Sequence, residues 1–540
     1  MPLGRKSSNL SLMRNLTSIF LCLLSLALFG QQAAMNSINE NELKVHVDFI
    51  ASDLLKGRKL GEPGLELAGD YLVSKLEKMN VKPSGDGTHF TQSIGFMRVE
   101  PDAQNTFLKI GTLENQYVIP SDSIIGLFPH PENINYEGSI VFAGYGVIDS
   151  ASAYNDFGQM DVRDKIVMIM SRSSQLVNTE RSANKDPFLY ETEYDKITSA
   201  YQKGAKAVLW VLDPLNKYKK LSDLEELDEY AMEAIYLKEK QKILFPLDFI
   251  IITQHTADLI LKSSGKSLLE LQKEINSTQQ PASFEIKESK VNLQVSRHIT
   301  DFKSSNIVGF IEGSDPVLKN EYVIYTAHYD HLGVDEKGNI YNGADDNGSG
   351  TAALIEIAEA FTKLPVPPKR SVVFAWTTAE EKGGIGSQYY TDHPLFPLEK
   401  TIVCINLDMI GRVKVSEPVK RWEDVKVMDS LFVISGGNNA ELLKINFLAC
   451  STIQLKPDYF DQMNRMKSSD QYFFYKKGIP VLFYHTGFHV DMHSINDDIE
   501  KIDFAKIKRV GQLAFLVGFE IANTDRTFET DQSVKKAGMN

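Results

Sequence analysis

Residues 322–364 read YVIYTAHYDHLGVDEKGNIYNGADDNGSGTAALIEIAEAFTKL. This stretch predicts a strand, a charged loop and a helix in succession. The apolar, β-branched run YVIYT has the composition of a buried strand. It runs into Ala327-His328-Tyr329-Asp330, which leaves a histidine at the strand's end with an aspartate two residues on. The glycine-flanked segment GADDNGSG comes next, and Gly350–Leu364 carries helical periodicity. Similar apolar runs, NIVGFIEG, SVVFAWTT, TIVCINLDM and IPVLFYH, recur between Ser304 and Ala522 with helical stretches between them. Such alternation predicts an α/β fold with a mixed, mostly parallel central sheet flanked by helices. Ligands of these sheets bind beyond the carboxyl ends of the strands. The residues just after each strand are therefore the ones to inspect for chemistry.

Those residues are acids and imidazoles. His328 followed by Asp330 suits a metal ligand and a group that orients it, although His-x-Asp alone equally describes an ordinary loop histidine. Asp345 and Asp346 stand together before the helix that starts near Gly350. Capping explains one aspartate there, but two adjacent acids after a histidine shift the reading towards ligation. SVVFAWTT ends in Glu380 and Glu381, which repel each other and call for a compensating cation. TIVCINL ends in Asp408, and the segment after IPVLFYH offers His485, His489 and His493. Together these are an ample nitrogen and oxygen ligand set for two Zn²⁺ ions.

The rest of the chain frames that region. At 540 residues it is too long for one ordinary core, so two or three domains are expected. A net charge of −13 with no long basic run argues against nucleic acid or an anionic membrane surface as the main partner. Arg5, Lys6 and Arg14 precede an apolar run from Ile19 to Phe29 and a small, polar exit at Gly30–Ala34. That pattern predicts a cleaved signal peptide over 1–34, an exported (periplasmic or secreted) product and no stable membrane insertion after cleavage. Met13-Arg14 would begin a compact signal by itself. Cys22 follows Leu21 rather than a small residue, which disfavours a lipoprotein anchor. The mature chain keeps Cys404 and Cys450, too few for a disulfide scaffold, and Cys404 is predicted buried and inert. Nothing in the sequence specifies an oligomeric state.

Residues 41–80 have helical periodicity broken by the turn GRKLGEPG, within a first part of the main domain over 35–118. Over 119–290 the short strands SIVFAGYGV, KIVMIM and AKAVLWVL appear, with a polar loop from Ser171 to Tyr194 and a charged stretch after Pro214. No catalytic density of acids or histidines lies there. An inserted, smaller, β-rich domain is expected, followed by the main part of the first domain over 291–525 and a polar tail over 526–540.

The ordered set HYDHLG, GADDNGSG, AEEKGGIGSQ, INLDMIGR and MHSINDDIEKID resembles the co-catalytic di-zinc aminopeptidase family, which also holds glutamate carboxypeptidases, the transferrin receptor and glutaminyl cyclases. GSIVFAGYGVI, DVRDKIVMIM and GAKAVLWV resemble the protease-associated domain often inserted in these enzymes, and residues 52–79 resemble the helical start of their peptidase domain. The resemblance implies the zinc exopeptidase fold and an exported enzyme that hydrolyses N-terminal peptide bonds. It implies that Asp346 bridges two Zn²⁺, one also held by His328 and Asp408 and the other by Glu381 and His493. Glu380 would be the general base and Asp330 would orient His328.

Two departures stand out. Many relatives carry a tyrosine before the final histidine, where this chain has Met492; Tyr484 or His485 could substitute as oxyanion donor only if the loop folds back. The family's serine–aspartate–histidine stretch reads Ser469-Asp470-Gln471. The alternatives within the family are a carboxypeptidase or dipeptidase, with Arg58, Arg412 and Arg465 as candidates for a substrate carboxylate. A single-zinc glutaminyl cyclase and a receptor-like binding protein are further alternatives.

Overall fold

The computed structural model describes residues 29–102, 104–111, 116–119, 124–128, 133–158, 160–171, 190–215, 234–239, 247–287, 290–412, 429–436, 439–459 and 465–528. The predicted signal segment up to residue 28, most of the polar loop after Ser171, most of the charged stretch after Pro214 and the last part of the C-terminal tail lie outside them. The chain divides into two units, one of residues 1–94 and 303–540 and one of Gly95–Phe302.

The first unit begins with helices α1 (Glu40–Ile50) and α2 (Pro63–Lys78). Asn39 caps α1 with its side chain, accepting from the amides of Asn41 and Glu42. Strand β1 (Arg297–Ile311) brings the chain back into this unit. Then follow β2 (Tyr322–His328), α3 (Gly350–Thr362), β3 (Ser371–Thr377), α4 (Ile385–Asp392), β4 (Thr401–Leu407), β5 (Ser430–Ile434), α5 (Ala440–Ile453), β6 (Lys456–Asp458), α6 (Gln471–Lys476), β7 (Val481–His485) and α7 (Phe504–Asn523).

The strands run in the order β1-β3-β2-β4-β7-β5-β6. β3, β2, β4 and β7 are mutually parallel, while β1 and β5 flank them antiparallel. Every residue of β3 and β4 is buried, as a sheet covered on both faces requires. Successive side chains point to opposite faces, and each face has its own cover. Ile324, Val373 and Cys404 join a core with Tyr390 of α4 and Phe474 of α6. Their neighbours Tyr325 and Phe374 stack with each other and meet Phe361 of α3, which packs on Phe515 of α7. The mixed, mostly parallel α/β sheet expected from the sequence is what the chain forms. Because β2, β3, β4 and β7 are parallel, His328, Glu380, Asp408 and the segment after His485 all emerge at one edge.

The second unit holds a six-stranded sheet in which three adjacent inner strands, Ile140–Phe142, Ile166–Met170 and Ala207–Val211, are the three short strands picked out in the sequence. Met168 and Leu209 pack with Leu271 and Ile275 in one core, and Val167 and Val208 pack with Ile197 and Ala200 in another. A separate four-stranded sheet pairs Phe107–Gly111 and Ile134–Gly138 with Lys290–Val295. The boundaries read at 119 and 290 thus fall inside this unit, since the strand at 107–111 bonds to that at 290–295. Among the described residues no helix is long and apolar enough to cross a membrane.

Candidate metal centre

His328 is the last residue of β2, buried, with its Nδ1 3.3 Å from the backbone carbonyl of Asp330 and 3.9 Å from that residue's carboxylate. Its other nitrogen, Nε2, lies 3.3 Å from Asp346 Oδ1 and 3.4 Å from Asp408 Oδ1. One ligand atom each from His328, Asp346 and Asp408 fall within 4.8 Å of one another. Asp346 turns its second oxygen elsewhere: Oδ2 is 3.1 Å from His493 Nε2, which is also 3.2 Å from Glu381 Oε2. A second group with ligand atoms within 4.8 Å comprises His331, Asp346 and Glu381. The five residues expected to hold metal therefore converge, and Asp346 is common to both groups.

The local backbone explains how they are aimed. Ala379, Met409 and His493 all adopt positive φ, at 58°, 52° and 53°. Non-glycine residues rarely do so, and such strain clusters at functional sites. Here the turns at Ala379 and Met409 directly adjoin Glu380 and Asp408. Asp330 spends its carboxylate on the amides of Glu380 (3.0 Å) and Glu381 (3.3 Å), fixing the glutamate pair from beneath. Asp497 does the same for the loop before α3, accepting from the amides of Asp345 and Asp346 at 3.1 and 3.0 Å. Asp345 is tied down by Gly411 N–H at 2.6 Å and by His489 at 3.1 Å.

Several residues singled out in the sequence have structural duties. Arg58 is fully buried and donates to the carbonyls of Tyr329, Ile50, Asn342 and Gly343, holding the backbone beside two ligand loops. Arg412 pairs with Asp491 at 2.6 Å, and Arg465 lies over the rings of Phe432 and Phe488. Tyr484 donates to Asn446 at 2.6 Å, whereas His485 Nδ1 faces the Asp408 carbonyl at 3.1 Å and its Nε2 is buried without a hydrogen-bond partner. Ser469 and Gln471 share the amide of Asn406, and Asp470 accepts from Thr377 at 2.5 Å. His331 is a member of the cluster that strand-end reading does not single out. Its signal was the second imidazole in HYDHLG.

Charge is the main feature of the site. Among the described residues, Asp346, Glu380, Glu381 and Asp408 face the imidazoles of His328, His331 and His493, and the buried Arg58 guanidinium adds its field at Asp346 and Glu381. Burial works against a charged His328, yet the carboxylates of Asp408 and Asp346 prevail and hold its pKa well above the ordinary histidine value. His493, likewise opposed by burial, is pushed up to about 11 by Asp346 and Glu381. Burial, reinforced by Asp408, Glu381 and Asp470 against the pull of His328, holds the Glu380 carboxyl well above the usual carboxylate range. A buried excess of carboxylates is costly unless cations compensate it. The nitrogen and oxygen donor set suits Zn²⁺.

Comparison with known proteins follows this geometry. The model of peptidase family M28 matches residues 306–517. Aminopeptidase YwaD of Bacillus subtilis (strain 168) is 24% identical over 392 residues, which is 70% of this chain and 76% of that protein. Aminopeptidase NAALADL1 of Rattus norvegicus is 38% identical over 126 residues, 22% of this chain and 16% of its own. The solved aminopeptidase from Aneurinibacillus sp. strain AM-1 superposes with a TM-score of 0.55 at 19% identity, covering 93% of this chain and 97% of that one, and so shares its fold. The segment that carries the strand-end acids and imidazoles is thus the one that matches peptidase family M28.

Proposed function

We propose that the chain is an exported, zinc-dependent exopeptidase that acts as an aminopeptidase on peptide substrates. The observation that carries this is the divided carboxylate of Asp346, one oxygen facing His328 and the other His493. On this reading His328 and Asp408 would hold one Zn²⁺, Glu381 and His493 a second, and Asp346 would contribute to both. Zinc bound there would supply a water of lowered pKa and a Lewis acid for the scissile carbonyl. Glu380 serves as general base, taking a proton from the attacking water and returning it to the leaving amine. Burial and neighbouring acids hold its carboxyl above the usual carboxylate range, the direction that suits a group that first takes a proton and then returns it. Asp330 keeps Glu380 in register through the backbone amides of the glutamate pair.

The N-terminal choice of bond rests on the relatives named as aminopeptidases and on the arginines. Arg58, Arg412 and Arg465, the candidates for a substrate carboxylate, are each occupied in holding the fold, which disfavours the carboxypeptidase reading. Export rests on the basic and apolar pattern before Gly30, and the second unit is read as a protease-associated domain. The test is hydrolysis of aminoacyl-arylamides beside N-acetylated peptides, with and without a chelator. Free amino termini should be cleaved, chelator should abolish turnover and added zinc should restore it. Glu380→Gln should lower kcat by about 10²- to 10⁴-fold. Release of C-terminal residues from N-blocked peptides would favour the carboxypeptidase, and a Glu380→Gln loss below about tenfold would remove Glu380 as the base.

A further inference from the structure

His331 stands three residues after His328 and is almost fully buried. Its Nδ1 is 2.7 Å from Glu381 Oε1, which is the short distance of a charge-assisted hydrogen bond. The other oxygen of the same carboxylate, Oε2, faces His493. Nε2 of His331 is buried with no hydrogen-bond partner. The Glu381 carboxylate only accepts, so Nδ1 carries the proton and Nε2 is left as a bare acceptor. The backbone is pinned as well. The His331 amide donates to the Arg58 carbonyl at 3.1 Å, and the Arg58 guanidinium bonds the carbonyls of Tyr329, Asn342 and Gly343.

We propose that His331 is a positioning residue for Glu381: Nδ1–H holds Oε1 so that Oε2 is presented, with Asp346 and His493, to the second cation. The inference rests on the two-cation reading above and adds a residue that the ligand set carried over from the family does not contain. Its logic is that of ligands oriented by a neighbouring hydrogen bond, whose loss costs about 10- to 100-fold in metal affinity.

Two substitutions separate the ring's nitrogens. Asparagine places an amide N–H near where Nδ1 sits, whereas glutamine reaches towards Nε2. Full-length wild type, His331→Asn and His331→Gln are titrated with Zn²⁺ by calorimetry against a competing chelator, with thermal melting of the metal-free proteins as a fold control. His331→Asn should keep the weaker of two zinc affinities within about threefold of wild type, and His331→Gln should lose about 10- to 100-fold there while the tighter site is unchanged. Equal, undiminished binding by both variants overturns the positioning role. Loss in His331→Asn with binding kept in His331→Gln overturns it, because the ring would then act through Nε2 as a ligand, and equal loss in both overturns it too, because an N–H at the Nδ1 position would not be what holds Glu381. A wild type that binds a single ion sinks the two-cation reading itself and this inference with it.

Discussion

Asp345 and Asp346 are adjacent acids with different duties, and the difference arises from what reaches them. Asp345 accepts from Gly411 and His489 and is consumed by the loop, whereas Asp346 keeps both oxygens directed at imidazoles. Those imidazoles set the pH behaviour of the metal-free site. The pKa of His328 is held well above the ordinary value by Asp408 and Asp346, and that of His493 is pushed up to about 11, so both imidazoles hold their protons more tightly than a free histidine. A ligating imidazole must be neutral, so zinc binding has to displace these protons and affinity must rise with pH. Zinc titrations in buffers of different ionisation enthalpy should show proton release near pH 7, and affinity should climb by up to about tenfold per pH unit for each proton displaced. Zinc affinity that is flat between pH 6 and 8 would contradict the ion pairs seen here. The candidate ligands His328, Glu381 and Asp408 were legible in the sequence because each stands at or just after the end of an apolar strand, and Asp346 because it belongs to an acid pair ahead of a helix. The parts played by Asp345, Arg58 and His331 were not, since they depend on contacts between residues 50 or more positions apart that no local pattern carries.

At the scale of elements, the strands of the first unit were readable because burial on both faces demands unbroken apolar runs. Cys404 in β4 is buried as expected, and burial raises its thiol pKa. The short strands at 107–111 and 116–119 were not readable, because they pair with each other at an edge and the first is held by 290–295, nearly the whole second unit away in sequence. How tightly α7 seats on the sheet was also hidden. A Cβ built on Gly518 would stand 1.6 Å from the hydroxyl oxygen of Tyr325, whose ring is fully buried and whose hydroxyl donates to Ala514 at 2.8 Å. At Gly511, one face along the same helix, the nearest atom would be 3.5 Å away, an ordinary contact. Gly518→Ala should therefore destabilise by about 1–3 kcal/mol through overpacking. Gly511→Ala should be neutral or stabilising, because alanine costs less backbone entropy in a helix. Denaturant unfolding of both variants decides it, and a Gly518→Ala protein as stable as Gly511→Ala would mean that α7 does not approach β2 this closely.

For the whole molecule, composition excluded partners more readily than it named them. A charge of −13 without a basic run set nucleic acid aside, and the α/β alternation placed the chemistry at one sheet edge before any residue was assigned. The parallel order β3-β2-β4-β7 then gathers acids from positions 346, 381 and 408 around histidines 328 and 493, although they are spread over more than 160 residues of sequence. The matched segment 306–517 contains all of them. The central claim is that Asp346 is shared by two cations rather than serving one. Zinc bound per chain, counted by elemental analysis after dialysis against a weak chelator, tests this directly in wild type and in Asp346→Ala. Two ions in wild type, falling below one in Asp346→Ala, is the predicted result; a single ion in wild type, or two retained without the Asp346 carboxylate, would contradict it.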